Sequence, residues 1–130
     1  MKRGNISAGL LLFRRTSGKL EVLLAHPGGP FWAKRDEGAW TVPKGVINDG
    51  EDSLAAAQRE FQEETGIIPQ PPFTPLGSVR QRAGKTVHAW AWEGDADATT
   101  ITSNTMNCEW PRGSGCYVTV PEIDRCEWFD

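Results

Sequence analysis

Gly45-Val46-Ile47-Asn48-Asp49-Gly50-Glu51, seven spacer residues, and then Arg59-Glu60-Phe61-Gln62-Glu63-Glu64-Thr65-Gly66-Ile67 form the stretch that decides the fold of this chain. Its residues read as strand, turn and helix. Asn48-Asp49-Gly50 is turn chemistry, because Asn and Asp side chains bond their own backbone and Gly accepts a left-handed conformation. Ser53 to Thr65 favours helix, with Asp52 as N-cap and Gly66 placed to end it as a left-handed residue.

On a wheel of about 100° per residue, Leu54, Ala57, Phe61 and Thr65 share a narrow sector, the expected buried face. Glu60, Glu63 and Glu64 form a second sector at i, i+3 and i+4, with Glu64 about 60° from the centre of the apolar stripe. Carboxylates this close repel by about 1 to 4 kcal/mol per pair at about 4 Å. Arg59 is the helix's one cation; it reaches Glu63 at i+4, which leaves two glutamates without a local partner. A hard, oxygen-seeking ion such as Mg²⁺ or Mn²⁺ answers that repulsion. The competing reading is a solvated acidic face, but such faces usually mix in lysines at i+4, and this helix has none.

The same residues resemble the Nudix box: Gly45, Glu51, Arg59, Glu60, aromatic Phe61, Glu63, Glu64, Gly66 and aliphatic Ile67. The resemblance implies a Mg²⁺-dependent hydrolase, with Mn²⁺ as substitute, acting on a nucleoside diphosphate linked to a further group. It also implies the Nudix fold, an α/β architecture with a mixed β-sheet in an α/β/α sandwich. Glu60, Glu63 and Glu64 are thereby assigned to the metal, with the Gly45 carbonyl in reach of the ion. Glu63 is also the candidate base for the attacking water, and Arg59 positions it. Glu51 supports the loop through Arg59 or a backbone amide, and Gly66 closes the helix. A further acidic ligand from outside the box is common in the family; Glu93, Asp95, Asp97 and Glu109 are the candidates.

Flanking segments, Ser7 to Arg15, Leu20 to His26, Trp40 to Gly45 and Lys85 to Trp92, are similar to one branch of that family. It contains the asymmetrical dinucleoside tetraphosphate hydrolases and bacterial predicted NTP pyrophosphohydrolases. The expected substrate is a dinucleoside polyphosphate such as diadenosine tetraphosphate. The alternatives are a nucleoside triphosphate pyrophosphohydrolase and a non-catalytic nucleotide-binding module, a class that commonly loses box glutamates retained here. Relatives usually continue beyond a stretch like 121–129 into a helix that covers one sheet face. With Asp130 as the last residue, the reading expects other cover for that face, such as a symmetric partner, or a truncated end; monomer and homodimer both stay open.

Candidate substrate contacts are Lys44, Arg82, His88 and Trp90. Lys44 precedes the box glycine, where it either touches phosphate or is a solvated loop lysine. Arg82 belongs with Arg14, Arg15, Lys34, Arg80 and Lys85 among the cations available to phosphates. His88, Trp90 and Trp92 alternate along one strand face, which suits a platform for a base or packing beneath a helix. His26 reads as a loop residue.

The 130 residues suit one domain spanning 1–130, with a core that needs no disulfides. A net charge of −3 gives no footprint for duplex nucleic acid. Cys108, Cys116 and Cys126 lack Cys-x-x-Cys spacing, so reduced thiols in a cytoplasmic protein are expected. Leu10 to Phe13 is too short an apolar run for a signal segment or a membrane span. Strands are expected at Ile6 to Arg15 and Leu20 to Ala25, joined as a hairpin, and as a short one at Trp40 to Val42. Further strands are expected at Leu76 to Arg82 paired with Thr86 to Glu93, at Met106 to Trp110 and at Tyr117 to Val120.

Overall fold

The structure, a computed structural model, describes residues 6–36, 38–80 and 84–130; Arg82 lies outside them. The first hairpin is β1 (Ile6–Thr16) with β2 (Lys19–Pro27). Its turn residues Ser17 and Gly18 have φ of 52° and 78°, the left-handed pair whose twist matches the flanking strands. Next come β3 (Lys44–Val46) and α1 (Ser53–Thr65), then β4 (Thr74–Arg80) with β5 (Thr86–Glu93). A short 3₁₀ turn, Ala98–Thr100, precedes β6 (Thr105–Glu109), β7 (Tyr117–Pro121) and β8 (Ile123–Phe129).

The main sheet runs β4-β5-β1-β2-β8, with β3 also on β1; β6 and β7 form a separate two-stranded ribbon. β1 and β5 are parallel and the other pairs antiparallel, so the sheet is mixed. Parallel pairing of β1 with β5 requires a long crossover, and α1 lies within it.

α1 begins and ends at its local signals. The Asp52 carboxylate accepts from the amides of Leu54 and Ala55 at 3.1 and 3.2 Å, and Gly66 (φ 79°) donates its N–H to the Gln62 carbonyl. The helix buries Ala56, Ala57, Phe61, Glu64 and Thr65, while Leu54 is half-buried. Ala8, Leu10 and Leu12 of β1, Leu23 and Ala25 of β2, Trp92, Ile123 and Cys126 complete the core beneath it. Phe61 meets Trp92 edge-on at 5.8 Å. Register places His88, Trp90 and Trp92 opposite Ala8, Leu10 and Leu12, and Trp90 packs against the same core. That strand face therefore lies on the helix side.

Three elements differ from the sequence reading. Trp40 to Val42 is no strand: only Thr41 bridges, to Ala25, and regular pairing starts after Pro43, which has no N–H to donate. His26 is no loop residue but the next-to-last residue of β2, fully buried. Its Nδ1 lies 2.9 Å from an Asp124 oxygen, its Nε2 contacts the Arg35 carbonyl, and its ring meets Trp40 at 5.2 Å. The cause is long-range: the 121–129 stretch, which carries no element in the sequence reading, supplies β8, and β8 pairs with β2 as far as Pro27.

Trp40, held by Asp36 and stacked edge-on with Phe129, covers one end of the sheet face opposite α1. Elsewhere on that face Leu11, Phe13, Val22, Leu24, Val87 and Ala89 are half-buried or nearly so, and Val79 is 67% exposed. Among the described residues α1 is the single α-helix, so helical cover lies on one face.

Candidate active site

Three carboxylates converge where α1 faces β3 and the β7–β8 link. Oxygens of Glu60, Glu64 and Glu122 lie within 4.8 Å of one another, an arrangement that could hold a metal ion. The helical period brings Glu60 and Glu64 to one face, and β3 sits against them through Gly45. A Cβ on Gly45 would stand 2.1 Å from the Glu60 carboxylate carbon, so a side chain there would fill the cradle.

Glu122 is the ligand candidate that the sequence reading misses. Of the four acids named instead, Asp95 pairs with Arg14 at 2.8 Å and Asp97 caps the 3₁₀ turn. Glu109 accepts the amides of Gly113 and Gly115, Glu93 lies exposed at the end of β5, and none of the four joins the cluster. Glu122 arrives through tertiary contacts. The C-terminal carbonyls of α1, those of Glu63 and Thr65, accept from the amides of Asn104 and Thr102, and the Asn104 carbonyl accepts from the Glu122 amide. An acid beside a proline was its only local signal, one that many surface turns share.

Arg59 organises the rest of the site. It donates to both oxygens of Glu51, at 2.8 and 3.1 Å, to Glu60 at 2.8 Å, to Glu63 at 3.2 Å and to the Val46 carbonyl. Glu51 also accepts the Asn48 amide at 3.0 Å, closing the turn before the helix. Arg59 thus reaches two helix glutamates where the spacing argument gave it one, and Glu64 is the acid it does not reach. Glu63 is more open than Glu60 and lies outside the three-acid group.

Electrostatics single out Glu64. Burial, then the nearby charges of Glu60 and Glu122, push its carboxyl far above the ordinary range, against a weaker pull from Lys44. Its Oε2 is buried with no hydrogen-bond partner. An unpartnered buried carboxylate oxygen amid two further acids is what a hard divalent cation would complete, so the residues present fit such an ion. Glu122 is also raised, by burial and then by Glu60 and Glu63. Conversely, the Arg59 guanidinium holds the Glu51 carboxyl below its usual range.

Lys44 is adjacent to Gly45 but points to the opposite sheet face, donating to Thr41 Oγ1 at 3.2 Å. It lines a cavity of about 200 Å³ with Gly9, Val42, Val79, Val87 and Ala89. Burial lowers its pKa, Lys85 adds to that, and Glu64 opposes it. His88 and Trp90 stay on the α1 side, apart from this cavity, and Arg14 is occupied by Glu21 and Asp95.

The NUDIX domain model matches residues 5–130 of this sequence. The chain belongs to the NUDIX family. It is 41% identical over 61 residues to the bis(5'-nucleosyl)-tetraphosphatase [asymmetrical] of Caenorhabditis elegans, covering 47% of this chain and 40% of that protein. It is 35% identical over 122 residues to a nucleoside triphosphate pyrophosphatase/Nudix hydrolase fusion protein of Bifidobacterium longum, covering 92% of this chain and 24% of that one. A crystal structure of a C. elegans Ap4A hydrolase binary complex superposes with a TM-score of 0.63 at 25% identity, covering 95% of this chain and 79% of that one. This NUDIX chain thus spans under half the length of these two curated relatives. No helix among its described residues is long and apolar enough to cross a membrane.

Proposed function

We propose that this chain is a Mg²⁺-dependent pyrophosphohydrolase, with Mn²⁺ as substitute, that cleaves a dinucleoside polyphosphate such as diadenosine tetraphosphate asymmetrically, in the cytoplasm. The observation that carries this reading is the cluster of Glu60, Glu64 and Glu122, in which Glu64 has a buried oxygen without a hydrogen-bond partner. Similarity to the C. elegans tetraphosphatase supports the choice of substrate.

Glu60, Glu64 and Glu122 would hold the cation, with the Gly45 backbone beside them. A divalent ion bound there supplies charge neutralisation at phosphoryl oxygens and lowers the pKa of water. The chain's own residues do the rest. Glu63, the more open acid of the helix, takes the proton of the attacking water as the new P–O bond forms and the anhydride P–O bond breaks. Arg59 holds Glu63 in place and offsets its charge.

The similarity to the B. longum protein, which extends over most of this chain, favours a second reading, a nucleoside triphosphate pyrophosphohydrolase using the same site. Product analysis with Mg²⁺ separates them. ATP plus AMP from diadenosine tetraphosphate supports the first reading, and a monophosphate plus pyrophosphate from a triphosphate supports the second. Absence of turnover on both, and on nucleotide sugars, overturns the hydrolase reading in favour of a binding module.

A further inference from the structure

A second cavity, of about 260 Å³, lies between the turn after β2 and the β6–β7 ribbon. Phe31 and Trp32 form one side, Met106 and Trp110 the other, and Arg112 sits at the margin. None of these residues belongs to the acidic cluster. Phe31, Met106 and Trp110 are each 38% exposed, an unusual concentration of wet apolar side chains around one concave space.

Both walls are tied in place. The Glu109 carboxylate accepts the amides of Gly113 and Gly115 at 3.0 Å each, which folds the loop carrying Trp110 and Arg112 back on itself. Trp110 donates its own amide to the Cys116 carbonyl at 2.8 Å. Across the cleft, Phe31 meets Trp32 edge-on at 4.9 Å. Arg35 lies over the Phe31 ring at 4.4 Å and donates to the Phe31 carbonyl. The walls are thus set before any ligand arrives, which lowers the ordering cost of binding.

The cleft also adjoins the acidic cluster. Gly28, at its floor, donates to the carbonyl of Glu122, and Met106 follows two residues after Asn104, which contacts the Glu122 side chain. The cleft therefore shares a backbone contact with Glu122, whose side chain belongs to the cluster. The volume falls just below the roughly 300–1,000 Å³ usual for ligand pockets, which suits one ring system with a sugar. Aromatic faces receive any base by stacking, and Arg112, 5.8 Å from the Phe31 ring, adds a cation at the rim.

We infer that the cleft between the 28–32 turn and the β6–β7 ribbon seats the base of a nucleotide, stacked on the Trp110 and Phe31 side chains, while its phosphates extend toward Glu122. The inference rests on the hydrolase reading only for what the phosphates meet.

The test is a titration of the full chain without metal, followed by calorimetry, with AMP and with base-free ribose 5-phosphate. Trp110→Ala weakens AMP binding roughly five- to 150-fold, the range typical of losing one stacked base, and leaves ribose 5-phosphate unchanged. Phe31→Leu, which keeps apolar bulk and removes the ring, repeats the loss if Trp110→Ala fails to fold. Equal AMP affinity in wild type and variant, or equal affinity of wild type for the two probes, overturns the proposal. So does a dimer that Trp110→Ala dissociates while AMP affinity stays constant, since the cleft then belongs to a second copy. Failure of the hydrolase reading shows separately, as absence of Mg²⁺-dependent turnover with the AMP discrimination intact.

Discussion

Glu64→Gln should stabilise the metal-free protein at neutral pH while removing its response to metal. In the folded chain Glu64 is 5% exposed, faces Glu60 and Glu122, and has one oxygen without a partner. Its carboxyl therefore titrates well above the ordinary 4.5. The sign follows from proton counts. Between pH 4.5 and the raised folded value, the native state keeps a proton that the unfolded state has released, so stability falls as pH rises through that window. Each pH unit is worth about 1.4 kcal/mol, so the 2.5 units between 4.5 and pH 7 cost on the order of 3 kcal/mol. Glutamine keeps the volume, carries no charge and can donate to Glu60. In EDTA at pH 7 the variant should melt roughly 10 °C above wild type, and near pH 4 the two should converge. Mg²⁺ at about 1,000 times its Kd should raise wild-type stability by about 4 kcal/mol and the variant's far less. Equal melting temperatures at pH 7 in EDTA, or a difference that shrinks as pH rises from 5 to 8, would refute the reasoning.

Gly45→Ala places a methyl where the Glu60 carboxylate sits; Mg²⁺-dependent thermal stabilisation should vanish and turnover fall by about 100-fold or more, with the far-ultraviolet dichroism spectrum unchanged. Glu122→Gln should weaken Mg²⁺ binding by about tenfold or more, as loss of one anionic ligand does, read by calorimetric titration; the same change at Glu109 should not. Glu63→Gln should lower kcat by about 100-fold or more while Mg²⁺ still stabilises the fold, and retained full activity would remove Glu63 from the proton transfer. Arg59→Ala leaves Glu51, Glu60 and Glu63 without their shared donor; chemical denaturation should show a loss of about 1 to 3 kcal/mol.

What was legible in the sequence was what is encoded locally. Asp52 and Gly66 bound α1 because both caps act within a turn of the helix, and Glu60 and Glu64 share a face because 3.6 residues make a turn. The first hairpin likewise follows from its strand-forming runs and the turn residues between them, and the β6 and β7 strands were expected, though their pairing was not. Glu122 and His26 were not legible, because their positions depend on segments about 60 and 100 residues away. The fate of the six tryptophans shows the same limit. Alternation put Trp90 and Trp92 on one face correctly, but which side α1 would cover decided that they pack in the core.

The distribution of charge in the site gives the glutamates of the box different surroundings. One arginine cannot neutralise every acid around it, and geometry determines which it leaves. Arg59 takes Glu51 by two oxygens, then Glu60 and Glu63, and its donors are spent on these rather than on Glu64. Glu64 is therefore the acid whose ionisation must be supported from elsewhere. Lys44 offers only a weak pull from across β3, and Glu122 adds to the repulsion. A hydrated surface would screen such a mismatch, but Glu64 Oε2 is buried. The fold thus holds an electrostatic deficit at the mouth of the Gly45 cradle, and a divalent cation is the group whose charge and ligand preference both match it.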